Sequence, residues 1–237
     1  MVGYLVLIKN KNILITGTSK GIGNFLAKKF LKTGNNVWGC SRKKNNIKHK
    51  NYFHKKLDLS DEKKIIKWVK EIYKNNNFKI DILINNAAIY EKNLNFFNKF
   101  KNISNTYKIN LIAPTLLTNI ISKQMLKNRS GLIIFISSVA SILQEPGTSL
   151  YASSKSAIES YAKVIKRELL KFNVKVCVFR IQYIKTTLSK IINQKKISKL
   201  KQIFASNKIS TKEKLYREIV KIFVLKNPPA IISDRKK

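Results

Sequence analysis

The chain has 237 residues, 44% of them hydrophobic, which suffices for one well-buried domain spanning residues 1–237 and is short for two. Cys40 and Cys177 are too few and too far apart for a disulfide framework or a cysteine-based zinc site, and no stretch reads as a signal peptide or a transmembrane helix, so we predict a cytoplasmic protein without a metal site or a membrane partner. The net charge of +36 comes mostly from lysines spread along the whole chain, which argues against a specific nucleic-acid partner.

Short apolar runs alternate with longer amphipathic segments, which predicts a parallel sheet covered by helices on both faces. The predicted strands span residues 12–16, 36–40, 52–57, 80–85, 131–137 and 174–180. The predicted helices span residues 22–32, 61–73, 100–126, 149–171 and 212–225, with a shorter helical segment near residues 190–204. Right-handed crossovers between the strands give a Rossmann-like, doubly wound α/β fold with the strand order 3-2-1-4-5-6.

A glycine turn lies between the first predicted strand and the first predicted helix. Residues 16–23 read Thr-Gly-Thr-Ser-Lys-Gly-Ile-Gly and follow the apolar run Ile13-Leu14-Ile15. A strand that enters a helix through such a turn leaves backbone N–H groups free at the helix N-terminus, where the helix dipole and the missing Cβ atoms let a pyrophosphate approach. Glycines also end helices and form ordinary turns, but this placement favours a dinucleotide site.

The second predicted strand ends in a basic segment, Ser41-Arg42-Lys43-Lys44. Enzymes specific for NAD place Asp or Glu at this point to bond the ribose 2′-hydroxyl, whereas a nearby arginine accommodates the 2′-phosphate of NADP. The segment has no carboxylate, and Lys20 adds a further cation near the expected phosphate. These residues predict NADPH rather than NADH as the cofactor.

Polar side chains follow the fourth and the fifth predicted strands. Asn85 and Asn86 come after the apolar residues 80–84, and Ser138 closes the apolar strand that begins near Leu132. Ligands bind at the carboxyl ends of the strands in open α/β sheets, so the Ser138 hydroxyl is a candidate to hold a substrate oxygen. Each of these residues is also compatible with an ordinary turn that bonds its own backbone. Their joint placement at successive strand ends favours a site.

Tyr151 and Lys155 are four residues apart on a predicted helix, which places the phenol and the ammonium on one face. A cation within ~4–6 Å lowers the pKa of a phenol by about 1–3 units from its usual value near 10, toward the range useful for acid–base catalysis. The alternative is a surface tyrosine beside one of many lysines.

On these motifs, the chain resembles the short-chain dehydrogenase/reductase family from about residue 11 to residue 225, and within it the 3-oxoacyl-[acyl-carrier-protein] reductases. The resemblance implies a catalytic tetrad of Asn110, Ser138, Tyr151 and Lys155. In this mechanism Tyr151 protonates the ketone oxygen and Ser138 hydrogen-bonds to it. Lys155 holds the nicotinamide ribose and lowers the pKa of Tyr151, and Asn110 supports a water that relays protons.

The motifs and the resemblance together also assign the cofactor contacts. The predicted contact residues are Gly17, Ser19, Lys20, Gly21, Ile22, Gly23, Ser41, Arg42, Asp58, Leu59, Asn85, Ala87, Tyr151, Lys155, Ile184 and Thr186. The pair Asp58-Leu59 corresponds to the family's contact with adenine, and Asn85-Asn86-Ala87 corresponds to the motif beside the adenosine.

The chain departs from the family pattern at three places. Ala88 stands where the family has glycine, and Ile181-Gln182 replaces the usual Pro-Gly after the sixth strand. The sequence stops soon after Ile232, where most relatives continue, so we expect the seventh strand to be truncated or absent. That change would weaken the substrate pocket and the contacts of the expected homodimer or homotetramer.

The sequence therefore predicts an NADPH-dependent oxidoreductase that reduces a ketone to a secondary alcohol. A 3-oxoacyl thioester is one candidate substrate, and the excess of lysine would speed association with an acidic acyl carrier protein. The alternatives are a reductase of keto-sugars or other small carbonyl compounds and a non-catalytic dinucleotide-binding regulator. The variable substrate loop, residues 182–210, gives no basis for choosing the substrate.

Overall fold

The strands of the computed structural model form one parallel sheet. The structure describes residues 8–74, 79–181 and 211–233. The strands are β1 (Asn12–Thr16), β2 (Asn36–Ser41), β3 (Tyr52–Lys56), β4 (Ile82–Asn85), β5 (Gly131–Ser138), β6 (Val174–Ile181) and β7 (Ile231–Ser233). Their order in the sheet is β3-β2-β1-β4-β5-β6-β7, and all neighbouring pairs are parallel. The predicted Rossmann-like fold is thereby confirmed.

Helices cover both faces of this sheet. They are α1 (Gly21–Lys32), α2 (Glu62–Lys74), α3 (Phe100–Tyr107), α4 (Ala113–Lys127), α5 (Ala140–Leu143), α6 (Ser149–Leu170) and α7 (Lys212–Val224). Across the described ranges, no helix is both long enough and apolar enough to cross a lipid bilayer. The helical segment predicted near residues 190–204 and the variable loop of residues 182–210 lie outside the described residues.

The strands carry two hydrophobic layers, because successive side chains of a strand point to opposite faces of the sheet. Ile13 and Ile15 of β1 pack in the layer that contains Phe30 of α1 and the buried face of α7. Leu14, between them, packs in the opposite layer with α2, α4 and Ile158 of α6. Strands that are covered on both faces are apolar almost throughout, which explains the continuous apolar runs in the sequence.

A seventh strand is present at the edge of the sheet beside β6. β7 has three residues and pairs in parallel with residues 178–180 of β6. Its central residue, Ile232, is buried and joins the layer formed by α1 and α7. The expectation of a truncated strand is confirmed, and the alternative of an absent strand is wrong. The open edge of β6 accepts even a short segment, whose Ile231 packs against the opposite layer.

The single helix predicted over residues 100–126 is divided in the structure. A π-helical turn, Lys108–Ile112, separates α3 from α4. Pro114 stands four residues after Asn110 and has no N–H group, so the regular α-helical bond to the Asn110 carbonyl cannot form. Turns of this kind are frequent at functional sites, and this one contains Asn110.

Candidate active site

The glycine turn connects β1 to α1 at the carboxyl edge of the sheet. Gly17 and Gly21 have φ angles of +76° and +67°, a region of backbone space that side chains disfavour. The N–H groups of Gly17 and Thr18 donate to the carbonyl of Cys40 in β2 over 2.9 and 3.1 Å. Within the described chain, the side chain of Lys20, the N-cap residue before α1, makes no capping hydrogen bond. The first N–H groups of α1 are therefore available to an anionic ligand.

Gly23 serves the packing of this turn. A Cβ atom at residue 23 would lie 2.4 Å from the carbonyl oxygen of Gly17 and 2.6 Å from the amide nitrogen of Asn86. Only glycine therefore lets α1 begin so close to the turn. Gly23 is buried and is not among the described residues of the cleft wall. The structure thus gives Gly23 a packing role, and its direct contact with a cofactor stays a prediction.

A hydrogen-bonded layer beneath the turn connects it to the segment after β2. The Tyr52 hydroxyl donates to Oγ1 of Thr18 over 2.8 Å. The Asn45 amide donates to the Tyr52 oxygen over 2.9 Å and to the carbonyl of Thr18. Gly39 of β2 makes room for this layer, because a Cβ atom there would lie 2.5 Å from the Tyr52 oxygen. The layer thus holds the glycine turn and the loop after β2 in one arrangement.

An open cleft of about 460 Å³ contains most of the predicted site residues. The predicted residues on its wall are Gly17, Ser19, Lys20, Gly21, Ile22, Ser41, Arg42, Asp58, Leu59, Ala87, Tyr151 and Lys155. The predicted residues that are described but are not on this wall are Gly23, Asn85, Asn110 and Ser138. Ile184 and Thr186 lie outside the described residues. The volume is typical of a site for a small molecule or a cofactor.

The basic segment after β2 lines this cleft. Arg42, Lys43 and Lys44 lie on the wall together with Lys20 of the glycine turn. Oγ of Ser41 donates to the carbonyl of Lys43 over 2.8 Å, so the segment folds back on the end of β2. Arg42 and Lys20, which the sequence predicts to lie near the 2′-phosphate of NADP, thus line the same cleft.

The residues after β3 add a carboxylate to the wall. Asp58 accepts from the N–H and the hydroxyl of Ser60, each over 2.9 Å, so one of its oxygens is engaged in the local turn. Leu59 follows Asp58 on the wall. Among the described residues of the wall, Asp58 is the one acidic side chain. The basic segment itself contains no carboxylate.

The segment after β4 supports the glycine turn through Asn86. Its amide donates to the carbonyl of Thr16 over 2.8 Å, and the N–H groups of Asn86 and Ala87 each donate to Oγ1 of Thr16 over 3.0 Å. Asn85 instead is buried, and its amide donates to Oγ1 of Thr118 over 3.3 Å. Asn86, Ala87, Ala88 and Ile89 line the cleft, whereas the Asn85 side chain lies in the interior, so a cofactor contact at Asn85 stays a prediction.

Tyr151 and Lys155 are brought together on α6, as their spacing predicted. Both side chains are buried apart from the surface that they contribute to the cleft. Nζ of Lys155 donates to the carbonyl of Ile136 in β5 over 2.8 Å and lies 5.7 Å from the centroid of the Tyr151 ring. The Tyr90 ring packs edge-on against Tyr151, with 4.9 Å between the ring centroids.

Burial determines the ionisation of this pair. It raises the pKa of Tyr151 to about 12, and the neighbouring Ser138 hydroxyl opposes this rise only in part. The predicted net lowering of this pKa is therefore wrong, because burial is the largest influence on Tyr151 and the Lys155 ammonium bonds a main-chain carbonyl instead of the phenol. Burial also lowers the pKa of Lys155 to about 8, and Glu159 acts in the opposite direction. At neutral pH Tyr151 is a neutral proton donor and Lys155 is mainly charged.

Asn110 supports Tyr151 from behind the cleft. Oδ1 of Asn110 accepts from the N–H of Ile89 over 2.9 Å, and Nδ2 donates to the Ile89 carbonyl over 3.0 Å and to Oγ of Ser154 over 3.1 Å. Ser154 in turn donates to the carbonyl of Tyr151 over 2.8 Å. The Asn110 side chain thus fastens α6 to the segment after β4, and Ser138 approaches the phenol from the end of β5.

Sequence reasoning missed three parts of this site. Tyr90 packs on Tyr151, Tyr52 lies in the layer under the glycine turn, and Glu159 bonds to residues at the end of β5. Tyr90 follows β4 closely, so the argument that polar groups collect at strand ends would have included it. Glu159 stands four residues after Lys155 on the same helix, and that spacing was the available signal.

Comparison with known proteins identifies the family. Residues 11–197 match the profile of the family described as short chain dehydrogenase. The 3-oxoacyl-[acyl-carrier-protein] reductase FabG of Buchnera aphidicola subsp. Schizaphis graminum is 32% identical over 219 residues, which are 90% of this chain and 89% of that protein. The chain belongs to the short-chain dehydrogenase/reductase family, whose members are NAD(P)-dependent oxidoreductases, and the predicted resemblance is confirmed.

Solved structures share the fold over nearly the whole chain. ElxO with NADP bound has a TM-score of 0.79 at 26% identity and covers 94% of this chain and 96% of its own. A 3-ketoacyl-(acyl-carrier-protein) reductase from Brucella melitensis, complexed with NADH, has a TM-score of 0.82 at 18% identity and covers 95% of this chain and 98% of its own. One of these proteins holds NADP and the other holds NADH.

Proposed function

We propose that this protein is an NADPH-dependent reductase that converts a ketone into a secondary alcohol. The observation that supports this best is the neutral Tyr151 phenol beside Lys155, on the wall of a cleft that begins at the glycine turn. A phenol that keeps its proton at neutral pH is suited to donate it to a carbonyl oxygen. When bound, the nicotinamide supplies the hydride for the carbonyl carbon.

The residues present fit a dinucleotide. The uncapped N-terminus of α1 and the positive φ angles of Gly17 and Gly21 provide a surface of backbone N–H groups for a pyrophosphate. A Cβ atom at Gly17 would lie 3.0 Å from Cα of Ala87, so glycine keeps this end of the cleft open. Lys155 at the other end would hold the nicotinamide ribose.

In the proposed reaction, Tyr151 gives the proton and Ser138 orients the oxygen that receives it. The two hydroxyl groups are neighbours, since Ser138 acts on the pKa of Tyr151. A carbonyl oxygen placed between them would accept from both. The Tyr90 ring packs perpendicular to the Tyr151 ring and limits how the phenol can move.

Asn110 and Lys155 keep the proton donor in position. The contacts of Asn110 with Ile89 and Ser154 hold the start of α6, where Tyr151 lies. Both N–H groups of the Asn110 amide are used in these bonds, so a relay water would donate either to Oδ1, which accepts one further bond, or to the main-chain carbonyl that Pro114 leaves without its regular helical partner.

The cationic segment after β2 supports the preference for NADPH. We expect Arg42→Ala to weaken NADPH binding about 10- to 150-fold and to leave NADH binding nearly unchanged, because a charge-assisted contact with the 2′-phosphate contributes about 1.5–3 kcal/mol. Titration of the protein with each cofactor, followed by nucleotide fluorescence, measures both dissociation constants.

Arg167→Ala, an exposed arginine on α6, is the matched control for the loss of one positive charge. The control should bind both cofactors like the wild type. Equal weakening of NADPH and NADH in Arg42→Ala would contradict a selective role in phosphate binding.

The proposed substrate is a 3-oxoacyl thioester on an acyl carrier protein. Its support is the reductase from Buchnera that matches most of this chain, together with the net charge of +36, which would attract an acidic carrier. We expect NADPH oxidation with acetoacetyl thioesters to exceed that with keto-sugars, and the advantage of a carrier-bound thioester over a small thioester to decrease as salt is raised.

The assay separates this proposal from its alternatives. Faster turnover of a keto-sugar or another small ketone would contradict the proposed substrate and support the proposed ketone reduction. Cofactor binding without turnover of any member of the ketone panel would favour a regulatory protein.

A further inference from the structure

Glu159 is a buried carboxylate behind the catalytic end of α6. It is 4% exposed and lies one helical turn beyond Lys155. Its Oε1 accepts from Oγ of Ser137 over 2.6 Å, from Oγ of Ser141 over 2.8 Å and from Nε of Arg180 over 3.0 Å. Its Oε2 accepts from Nη2 of Arg180. A buried charge is costly unless it is paired and hydrogen-bonded, and Glu159 meets both conditions.

This hydrogen-bond network lies next to the hydrogen bond that holds Lys155. Ser137 directly follows Ile136, whose carbonyl accepts from Nζ of Lys155. Two side chains one turn apart on α6 therefore bond two consecutive residues of β5. Arg180 of β6 is the strand partner of Ser137, so the ion pair with Glu159 joins α6, β5 and β6 at one level.

We propose that Glu159 is a positioning residue for the reduction, which fixes α6 against β5 and keeps Lys155 in place and charged. The inference rests on the roles proposed above for Tyr151 and Lys155. Glu159 is not among the described residues of the cleft wall, so it acts through Lys155 and not on the substrate.

The charges around Lys155 define what Glu159 contributes. The Tyr151 ring lies 5.7 Å from Nζ of Lys155, and the charge of Glu159 acts on Lys155 from the same helix. Behind them, Arg180 of β6 pairs with Glu159, and Tyr90 packs on Tyr151. Burial raises the pKa of Glu159, but the hydrogen bonds from Arg180 and two serines outweigh burial, and the pKa is lowered overall. Glu159 is therefore an anion throughout the neutral range and opposes the lowering of the Lys155 pKa by burial.

Substituting Glu159→Gln tests this role, because it keeps the shape of the side chain and removes its charge. Without the anion, the pKa of Lys155 falls further below about 8, so the ammonium loses its proton at a lower pH. We expect kcat and NADPH affinity to match the wild type near pH 6 and to be about five- to tenfold lower at pH 8 and above, which corresponds to a shift of about one pH unit. The cofactor dissociation constant and kcat are measured from about pH 6 to about pH 9.

Two further variants separate this role from a role in stability. Replacement of a buried ion pair by apolar residues is often tolerated, so Glu159→Leu with Arg180→Leu removes the charge without leaving Arg180 unpaired. This double variant should show the same displaced pH profile while retaining a cooperative thermal transition. Glu168→Gln, an exposed glutamate on α6, should behave like the wild type in every measurement.

The binding measurement needs no substrate, so its result does not depend on which ketone is reduced. If the wild type binds neither NADPH nor NADH, the proposed function fails. If the wild type binds cofactor and the folded Glu159 variants keep its pH profile, this inference fails while the proposed function stands. Loss of the folded state in both Glu159 variants would also overturn the inference, since the ion pair would then serve the fold alone.

Discussion

Substituting Tyr151→Phe should reduce kcat about 10²- to 10⁴-fold and leave NADPH affinity nearly unchanged, because the variant loses the proton donor and keeps the aromatic ring. The ring still packs against Tyr90, and the bond of Lys155 to the Ile136 carbonyl does not involve the phenol. Single-turnover oxidation of bound NADPH in the presence of an active ketone measures the chemical step, and nucleotide fluorescence measures binding.

Tyr107→Phe is the matched control for this variant. The Tyr107 hydroxyl is hydrogen-bonded to Oγ of Ser153 on α6 over 2.9 Å, but the residue is not among the described residues of the cleft wall. Its loss should leave kcat close to the wild-type value. Retention of more than about a tenth of kcat by Tyr151→Phe would show that another group supplies the proton.

Substituting Gly23→Ala should weaken the binding of both cofactors and destabilise the protein. The added methyl group would stand 2.4 Å from the Gly17 carbonyl oxygen, so α1 must move away from the turn that it supports. Overpacking of this kind typically costs about 1–3 kcal/mol, which corresponds to about a 5- to 150-fold loss of affinity if the whole cost falls on the bound conformation. Cofactor titration and the thermal unfolding midpoint measure the two effects.

Lys28→Ala changes an exposed residue of α1 and should alter neither property. Gly23→Ala should weaken the binding of NADPH and NADH equally, because the distorted turn would contact the pyrophosphate that both cofactors share. Arg42→Ala, in contrast, should weaken mainly the binding of NADPH. Wild-type affinity and stability in Gly23→Ala would contradict this prediction, because α1 could then shift away from the turn without loss of binding or folding free energy.

The parts of the fold that depend on local pattern could be predicted from the sequence. Five of the first six strands are apolar runs bounded by polar residues, whereas β3 reads Tyr-Phe-His-Lys-Lys. The predicted limits of all six lie within two residues of the observed ones. The glycine turn and the Tyr151–Lys155 spacing are also local, so both were found where the structure has them. The π-helical turn was missed although Pro114 marked it, because the apolar spacing on either side continues the helical pattern.

The parts of the site that depend on contacts between distant segments could not be predicted. Choosing Asn86 over Asn85 as the residue beside the glycine turn requires the register of β4, which the apolar run 80–84 leaves undefined. The pKa of Tyr151 depends on how deeply α6 is buried against β5, and the charged partner alone suggested the opposite direction. The Glu159–Arg180 pair joins residues 21 positions apart on two elements, and nothing local distinguishes them from the surrounding charged residues.

The layer formed by Thr18, Asn45 and Tyr52 has a consequence for how cofactor preference can change in this protein. Asn45 belongs to the same loop as Arg42, yet it bonds to the glycine turn. The loop proposed to select the 2′-substituent and the turn proposed to hold the pyrophosphate are therefore structurally coupled. Grafting the whole loop from an NADH-dependent relative would remove a support of the turn along with the cations. Substitution of Arg42 alone keeps that support. Single substitutions in an otherwise unchanged loop are therefore expected to change the preference between NADPH and NADH with the least damage to cofactor binding.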